Sequence, residues 1–88
     1  MKTTEYEVIL TNGMVNHTYN IPAFNEREAV ILAQAEAIKS ARGYDFVSVS
    51  IKDEPDGFLL VYGEYIPAKI IKSNNGFTEV KLLRKPSL

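Results

Sequence analysis

Alternating apolar and polar residues predict a β-hairpin near the start of the chain. Asn12-Gly13 is a dipeptide that favours a two-residue type I′ turn, and β-branched and aromatic residues flank it on both sides. A turn at this dipeptide pairs Val8 with His17. It also places Tyr6 opposite Tyr19, so that one face of the hairpin is mostly apolar. The other face is polar and carries Glu5, Glu7, Asn16, Thr18 and Asn20.

A helical period predicts one helix between Asn25 and Gly43. Asn25 suits the N-cap, and Glu28, three residues later, completes a capping box. Gly43 suits the position after the last turn, where a left-handed conformation ends many helices. Small residues mark the side that packs on a sheet, because alanine allows the helix backbone to approach closely. They are Val30, Ala33, Ala37 and Ala41, and their flank holds Ile31, Gln34 and Ile38.

The opposite side of this helix is charged, with Leu32 as its one large apolar residue. The other residues on this side are Glu28, Ala35, Glu36, Lys39 and Arg42. Leu32 is either covered by the aliphatic stems of Glu36 and Lys39 or a contact point for a partner.

A second hairpin is predicted from residues 46–52 and from residue 58 to about residue 65. Between them, Pro55, Asp56 and Gly57 suit a type I turn closed by a glycine bulge. The first strand alternates, but residues 58–62, which read FLLVY, are apolar on both faces. One helix covers only one face of an antiparallel sheet. The second face therefore needs the C-terminal segment, a second copy of the chain or a partner as its cover.

Residues 66–88 predict a third hairpin with a turn at Asn75-Gly76. This turn places Lys72 opposite Glu79, which is a favourable ionic pair. It also places Ile71 opposite Val80. The alternative for this segment is a short helix that begins at Pro67 and ends at Gly76, since proline suits a first helical turn and glycine a C-cap.

Length and composition support one small cytoplasmic domain. The chain has 88 residues, a net charge of −1 and no cysteine, so disulfides and thiolate chemistry are excluded. The N-terminus lacks an apolar signal sequence, and no segment approaches the ~20 apolar residues of a membrane span. We predict an α+β fold in a single domain, residues 1–88. In it, residues 1–65 form a ββαββ antiparallel sheet with one helix on one face, and residues 66–88 a basic C-terminal hairpin or extension.

No residue pattern indicates an enzyme, a metal site or a cofactor. His17 is the only histidine, and we expect it to be half-buried at the sheet margin, without the partners of a catalytic triad or a zinc site. The acidic run DEPDG lacks the alternating ligands of a calcium loop. Glu5 and Glu7 lie two residues apart on one strand face, which is typical of a solvated edge and not of an acid–base pair. We therefore expect a non-enzymatic protein that uses no cofactor.

Charge is unevenly distributed along the sequence. Residues 1–64 contain five basic and ten acidic residues, whereas residues 65–88 contain five basic and one acidic. The basic residues of the second part are Lys69, Lys72, Lys81, Arg84 and Lys85. They either contact the phosphates of a nucleic acid or protect an edge hairpin from aggregation. The acidic part suits contact with a basic nucleic-acid-binding groove on another protein.

The helix sequence NEREAVILAQAEA and the order strand, strand, helix, strand, strand over residues 5–65 resemble small phage-encoded inhibitors. Single-helix anti-CRISPR proteins belong to this group. The resemblance implies stoichiometric binding to a host protein or nucleoprotein complex in the bacterial cytoplasm. It assigns no binding residue, and the C-terminal hairpin departs from the arrangement.

The residue pattern itself predicts a contact surface. The predicted partner-binding residues are Phe58, Leu60, Tyr62, Leu32, Glu28, Glu36, Glu5 and Glu7. Two alternative functions follow from other features. One is a nucleic-acid-binding module that uses the basic C-terminal residues, and the other is a homodimeric accessory or structural protein in which residues 58–62 close the core of a second copy.

Overall fold

The computed structural model describes residues 2–12, 15–40, 43–72 and 78–87. Within them the elements are β1 (Thr4–Thr11), β2 (Asn16–Ala23), α1 (Glu26–Lys39), β3 (Phe46–Ile51), β4 (Asp56–Val61), β5 (Glu64–Lys72) and β6 (Thr78–Leu82). The strands form one antiparallel sheet in the order β2-β1-β3-β4-β5-β6, and α1 packs on one face. The predicted α+β fold with one helix on one face of an antiparallel sheet is confirmed.

The N-terminus of α1 has the predicted Asn25 cap, and Glu28 reaches back as in a capping box, but to Phe24, one residue before the N-cap. The Asn25 backbone is extended, and its Oδ1 accepts a hydrogen bond of 2.8 Å from the Glu28 amide. In return, the Phe24 amide donates to Glu28 Oε1 at 3.2 Å. One amide of the first helical turn and the amide just before the N-cap are thus paired, which fixes where α1 begins.

The C-terminus of α1 lies earlier than predicted. α1 ends at Lys39 with Ser40 as its C-cap, and Gly43 does not adopt the left-handed conformation. The chain must leave the helix in time to return to the sheet, where the Asp45 amide donates to the Thr11 carbonyl at 2.9 Å. Ala41 and Arg42 lie outside the residues that the structure describes.

The main core lies between α1 and the first three strands. The helix contributes small buried residues, which are Ala29, Val30, Ala33 and Ala37. They contact buried residues of β1 and β3, which are Tyr6, Val8, Leu10, Val47 and Val49. The small-residue stripe therefore packs on the sheet as predicted, and α1 lies mainly over β1, β2 and β3.

The first hairpin has the predicted faces but a different register. Val8 pairs with Tyr19 and not with His17, and Tyr6 pairs with Ile21. The displacement is two residues, so every side chain keeps its predicted face. His17 is half-buried on the edge strand β2, as predicted.

The register of this hairpin is set at its closed end. The Val15 amide donates to Asn12 Oδ1 at 2.9 Å, and the Asn12 amide donates to the Val15 carbonyl at 3.4 Å. The strands therefore close at Asn12 and Val15, one pair further along than the predicted closing pair. Gly13 and Met14 lie outside the residues that the structure describes.

The turn between β3 and β4 also differs from the prediction. The Glu54 amide donates to the Ile51 carbonyl at 3.0 Å, and Asp53 has a φ of 67°. Aspartate tolerates this left-handed conformation better than most residues. The chain consequently reverses at Asp53 and not at Pro55, and Gly57 already belongs to β4.

β4 ends earlier than predicted, at Val61. Val61 pairs with Glu64, and the two residues between them have positive φ angles, 49° for Tyr62 and 80° for Gly63. Positive φ at both central residues is the geometry of a type I′ hairpin turn. The apolar run FLLVY therefore ends in a turn, and the Tyr62 side chain is 87% exposed.

The second face of the sheet, away from α1, is enclosed by the curvature of the sheet itself. Ile66 and Ala68 of β5 and Ile9 of β1 are buried on this face. Glu7 of β1 and Ile70 of β5 line one cleft, although β3 and β4 lie between their strands in the sheet. The sheet therefore curls until β5 approaches β1. Of the three covers predicted for the second face, the chain uses its own C-terminal part.

The C-terminal segment forms strands, so the alternative of a short helix from Pro67 is wrong. The register of β5 with β6 differs from the prediction by one residue, since Ile70 pairs with Val80 and Ile71 with Glu79. Because β5 pairs with β4 in this register, its buried side chains lie on the second face of the sheet. Val80 of β6 lies beside Ile70 on the same face. Asn75-Gly76, the predicted turn, lies outside the residues that the structure describes.

Candidate functional site

A cleft of about 320 Å³ opens beside the N-terminus of α1. It exists because α1 lies mainly over β1, β2 and β3. The same face of β4 and β5 is therefore left uncovered beside the helix. The residues that line it are Asn25, Glu26, Arg27, Phe58 and Tyr65. We refer to these five residues as the aromatic cleft.

The floor of the aromatic cleft is formed by two rings. Phe58 of β4 pairs with Val49 on one side and with Pro67 on the other. Its ring contacts Tyr65 edge to face, with centroids 6.3 Å apart and an interplanar angle of 80°. Edge-to-face packing is a favoured aromatic geometry and holds both rings in place.

A cation lies over this floor. The guanidinium carbon of Arg27 is 5.5 Å from the centroid of the Tyr65 ring, which is within the range of a cation–π contact. Among the described residues, Arg27 makes no ion pair. The aromatic cleft thus combines an apolar floor with a positive group at its rim.

Two tyrosines near the cleft stay neutral over a wide pH range. Burial raises the pKa of Tyr65 above its ordinary value of 10.0, and the charge of Glu26 adds to this, while Arg27 opposes it. Burial also raises the pKa of Tyr6, followed by the charge of Glu26 and a hydrogen bond to that carboxylate. The Glu26 carboxylate therefore accepts a hydrogen bond from the Tyr6 hydroxyl. Arg27, the other charged residue of the cleft, has no ion-pair partner among the described residues.

A second exposed surface lies on the outer side of α1. Ile38 is 75% exposed and Ile31 is 58% exposed, although the sequence pattern placed both beside the packed stripe. At 100° per residue, Ile31, Ala35 and Ile38 lie within a narrow arc, and we refer to these three residues as the helix patch. Leu32, at 43% exposure, lies on the side of this patch away from Arg27.

The apolar residues predicted to bind a partner are placed in different environments. Phe58 and Leu60 are half-buried and pack against the core on the side of α1. Only Phe58 of these two lines the aromatic cleft. Tyr62 protrudes from the turn after β4, and Leu32 is partly exposed on α1. Their role in partner binding stays a prediction, with Phe58 as the member that belongs to a shaped site.

The predicted acidic residues are not brought together. Glu28 accepts the hydrogen bond of the capping box, and Glu36 lies 3.6 Å from Lys39 on α1. Glu5, which lies 3.5 Å from Lys52, is on the opposite side of the sheet. Glu7 is only 7% exposed, because β1 is an interior strand and not the solvated edge that the sequence suggested.

The basic residues of the C-terminal part are also divided. Lys69 and Lys81 are exposed and pair directly across β5 and β6. Arg84 instead contacts Glu64, with its Nη2 2.8 Å from Oε2. Lys72 lies at the end of β5, and Lys85 is exposed after β6. Lys69 and Lys81 thus form one pair of adjacent exposed lysines.

The second cleft, of about 230 Å³, is acidic. It is lined by Glu7, Ser50, Asp53, Glu54, Pro55 and Ile70. Across the part of the chain that the structure describes, no three His, Asp or Glu residues are arranged to hold a metal ion. In the same ranges, no helix has the length and apolar content needed to cross a membrane.

Sequence reasoning missed Arg27, Glu26 and Tyr65 as members of a site. The sequence pattern predicts Tyr65 at the end of a strand, whereas its proximity to α1 depends on a turn at Tyr62-Gly63 within the apolar run. The strand order carries the remaining information, because it decides which strands α1 leaves uncovered. A glycine after Tyr62, followed by a second strand pattern, was the signal that could have revealed the turn.

Comparison with protein-family models, with curated proteins and with solved structures finds no significant match to this chain.

Proposed function

We propose that this protein is a non-enzymatic binding module that recognises another protein through the aromatic cleft. The observation that carries the proposal is the arrangement of Arg27 over Tyr65 beside Phe58, in a cleft open to solvent. Arginine and tyrosine are enriched among the residues that contribute most to protein–protein affinity. In line with the resemblance to phage-encoded inhibitors, the proposed partner is a host protein or nucleoprotein complex.

The chemistry of the cleft indicates what a partner presents. An apolar side chain packs against the rings of Phe58 and Tyr65, and its burial contributes roughly 1.5–3 kcal/mol when complete. A carboxylate next to that side chain is within reach of Arg27 and forms a charge-assisted hydrogen bond. The partner segment therefore combines one large apolar residue with a neighbouring acidic residue.

Capture of partners from a bacterial lysate tests this proposal. Tagged wild-type protein and the Arg27→Glu variant are incubated with nuclease-treated lysate, and the recovered proteins are compared. Arg27 is exposed and makes no ion pair among the described residues, so we expect the variant to fold and to lose the captured partner. Equal recovery by both proteins would mean that the cleft is not the recognition surface.

Lys81→Glu is the matched control, because it makes the same change of charge at an exposed position on β6. We expect it to capture the partner as well as the wild type does. In lysate that has not been treated with nuclease, loss of capture by this control, with Arg27→Glu unaffected, would favour the alternative in which Lys69 and Lys81 contact a nucleic acid or its complex. In that case affinity also falls steeply as salt is raised.

A further inference from the structure

The outer side of α1 carries an exposed apolar strip between charged residues. The inner side packs on the sheet through small residues, and the helix patch places two isoleucines on the outer side, both more than half exposed. An exposed apolar strip rimmed by charged residues is typical of a surface that contacts another protein. Nothing in the described residues of the chain covers Ile31 and Ile38.

We propose that the helix patch pairs antiparallel with the helix patch of a second copy of this chain. The argument rests on the charges beside the patch. Glu28 near the start of α1 and Lys39 at its end lie on the same flank of the patch. In an antiparallel pair of helices related by a two-fold axis, the same flank of each helix lies next to that of the other. The start of one helix then lies beside the end of its partner. Glu28 of each copy then meets Lys39 of the other, which gives two ion pairs.

The remaining features of α1 are compatible with this pairing. Ala35 lies between Ile31 and Ile38 and allows two helix backbones to approach closely. Lys39 contacts Glu36 at 3.6 Å, but this pair is exposed and such pairs contribute little, so Lys39 can change partner. Glu28 uses Oε1 for the capping box, so a new ion pair needs only Oε2.

The expected dimer is weak. α1 has 14 residues and is about 21 Å long, so one helix face supplies an area at the low end of stable protein interfaces. Dissociation constants in the micromolar range or above are typical of such contacts. The association must therefore be measured over a wide concentration range.

Sedimentation equilibrium from roughly 5 μM to 1 mM tests the pairing. We expect reversible dimerisation of the wild type and an increase in the dissociation constant of at least about tenfold for Ile38→Asp, because each copy then buries an unpaired carboxylate. Leu83→Asp is the control, since Leu83 is an exposed apolar residue away from α1, and it should dimerise like the wild type. A wild type that is monomeric throughout, or an Ile38→Asp variant that dimerises normally, would overturn the proposal.

A double-mutant cycle with Glu28→Gln and Lys39→Gln tests the antiparallel orientation. Glutamine preserves the capping box, so the first variant removes charge without removing the cap. Each single change should raise the dissociation constant between roughly two- and thirty-fold, and the double change should raise it by less than the product of the two. Fully multiplicative effects would overturn the pairing of Glu28 with Lys39. The assay contains no other protein, so its result is independent of the proposed function of the aromatic cleft.

Discussion

Gly57 illustrates how a residue can be recognised as important for the wrong reason. The sequence places it in a turn, where glycine commonly supplies an unusual backbone conformation, but the structure places it in β4 opposite Ser50. A Cβ atom at this position would meet the Val49 carbonyl oxygen, Ser50 Cβ at 2.8 Å and Ile70 Cδ1 at 2.9 Å. The position therefore requires glycine because β3 and the Ile70 side chain approach the β4 backbone closely. That approach results from the curl of the sheet, which no local pattern reveals.

Replacement of Gly57 by alanine should consequently destabilise the protein. Overpacking of this kind costs about 1–3 kcal/mol, because a backbone oxygen cannot move aside as a flexible side chain can. Urea unfolding measures the loss, and Gly43→Ala is the control because its added Cβ meets no atom within 4 Å. If the two variants unfold at the same urea concentration, the close approach at Gly57 is wrong.

At the scale of elements, ends that depend on neighbouring residues were predictable, and ends that depend on distant strands were not. The start of α1 follows from Asn25 and Glu28, which are three residues apart and contact each other directly. The end of α1 follows from the pairing of Asp45 with Thr11, which are 34 positions apart. The register of β5 with β6 was wrong for the same reason, since the pairing with β4 orients β5. The register of the first hairpin was wrong although its cause is local, because the side chain of Asn12 accepts a hydrogen bond from the Val15 amide and closes the hairpin there.

The capping box gives a prediction at this scale. Asn25→Ala should lower the free energy of unfolding by about 1 kcal/mol, because the Glu28 amide loses its acceptor. Asn25→Asp should keep most of the stability, since a carboxylate accepts the same hydrogen bond and suits the positive end of the helix dipole. Thermal unfolding followed by circular dichroism compares the two variants. An alanine variant as stable as the aspartate variant would show that the cap is not needed.

At the scale of the whole molecule, the fold class and the face that α1 covers were predictable from periodicity. The curl of the sheet was not, because the burial of Ile66 and Ala68 on the second face depends on how six strands twist together. The aromatic cleft was equally hidden, since Arg27 and Tyr65 are far apart in sequence and meet only through the strand order. The segment after β6 is tied back to the sheet by Glu64, which contacts Arg84 and accepts hydrogen bonds from the Ser87 amide and hydroxyl.

This attachment should depend on pH. Hydrogen bonds from the Ser87 amide, Arg84 and the Ser87 hydroxyl lower the pKa of Glu64 from 4.5 to about 2. Because the folded-state pKa is the lower one, the attachment contributes fully above about pH 4.5 and is lost as the pH falls through about 2. The Ser87 amide signal in NMR spectra should move toward its unfolded position over this range. Glu64→Ala, which has no side-chain acceptor, should show the detached signal already at neutral pH, and a Ser87 signal unaffected by either change would contradict the attachment.

The central claim is that the aromatic cleft recognises a protein partner, and the affinity of the purified captured partner tests it most directly. Isothermal titration should give a dissociation constant for Arg27→Glu at least about fivefold above that of the wild type, because an interface residue of this kind contributes more than about 1 kcal/mol. Lys81→Glu should bind within about twofold of the wild type, as expected of a surface change outside the interface. Equal dissociation constants for the wild type and Arg27→Glu would contradict the claim.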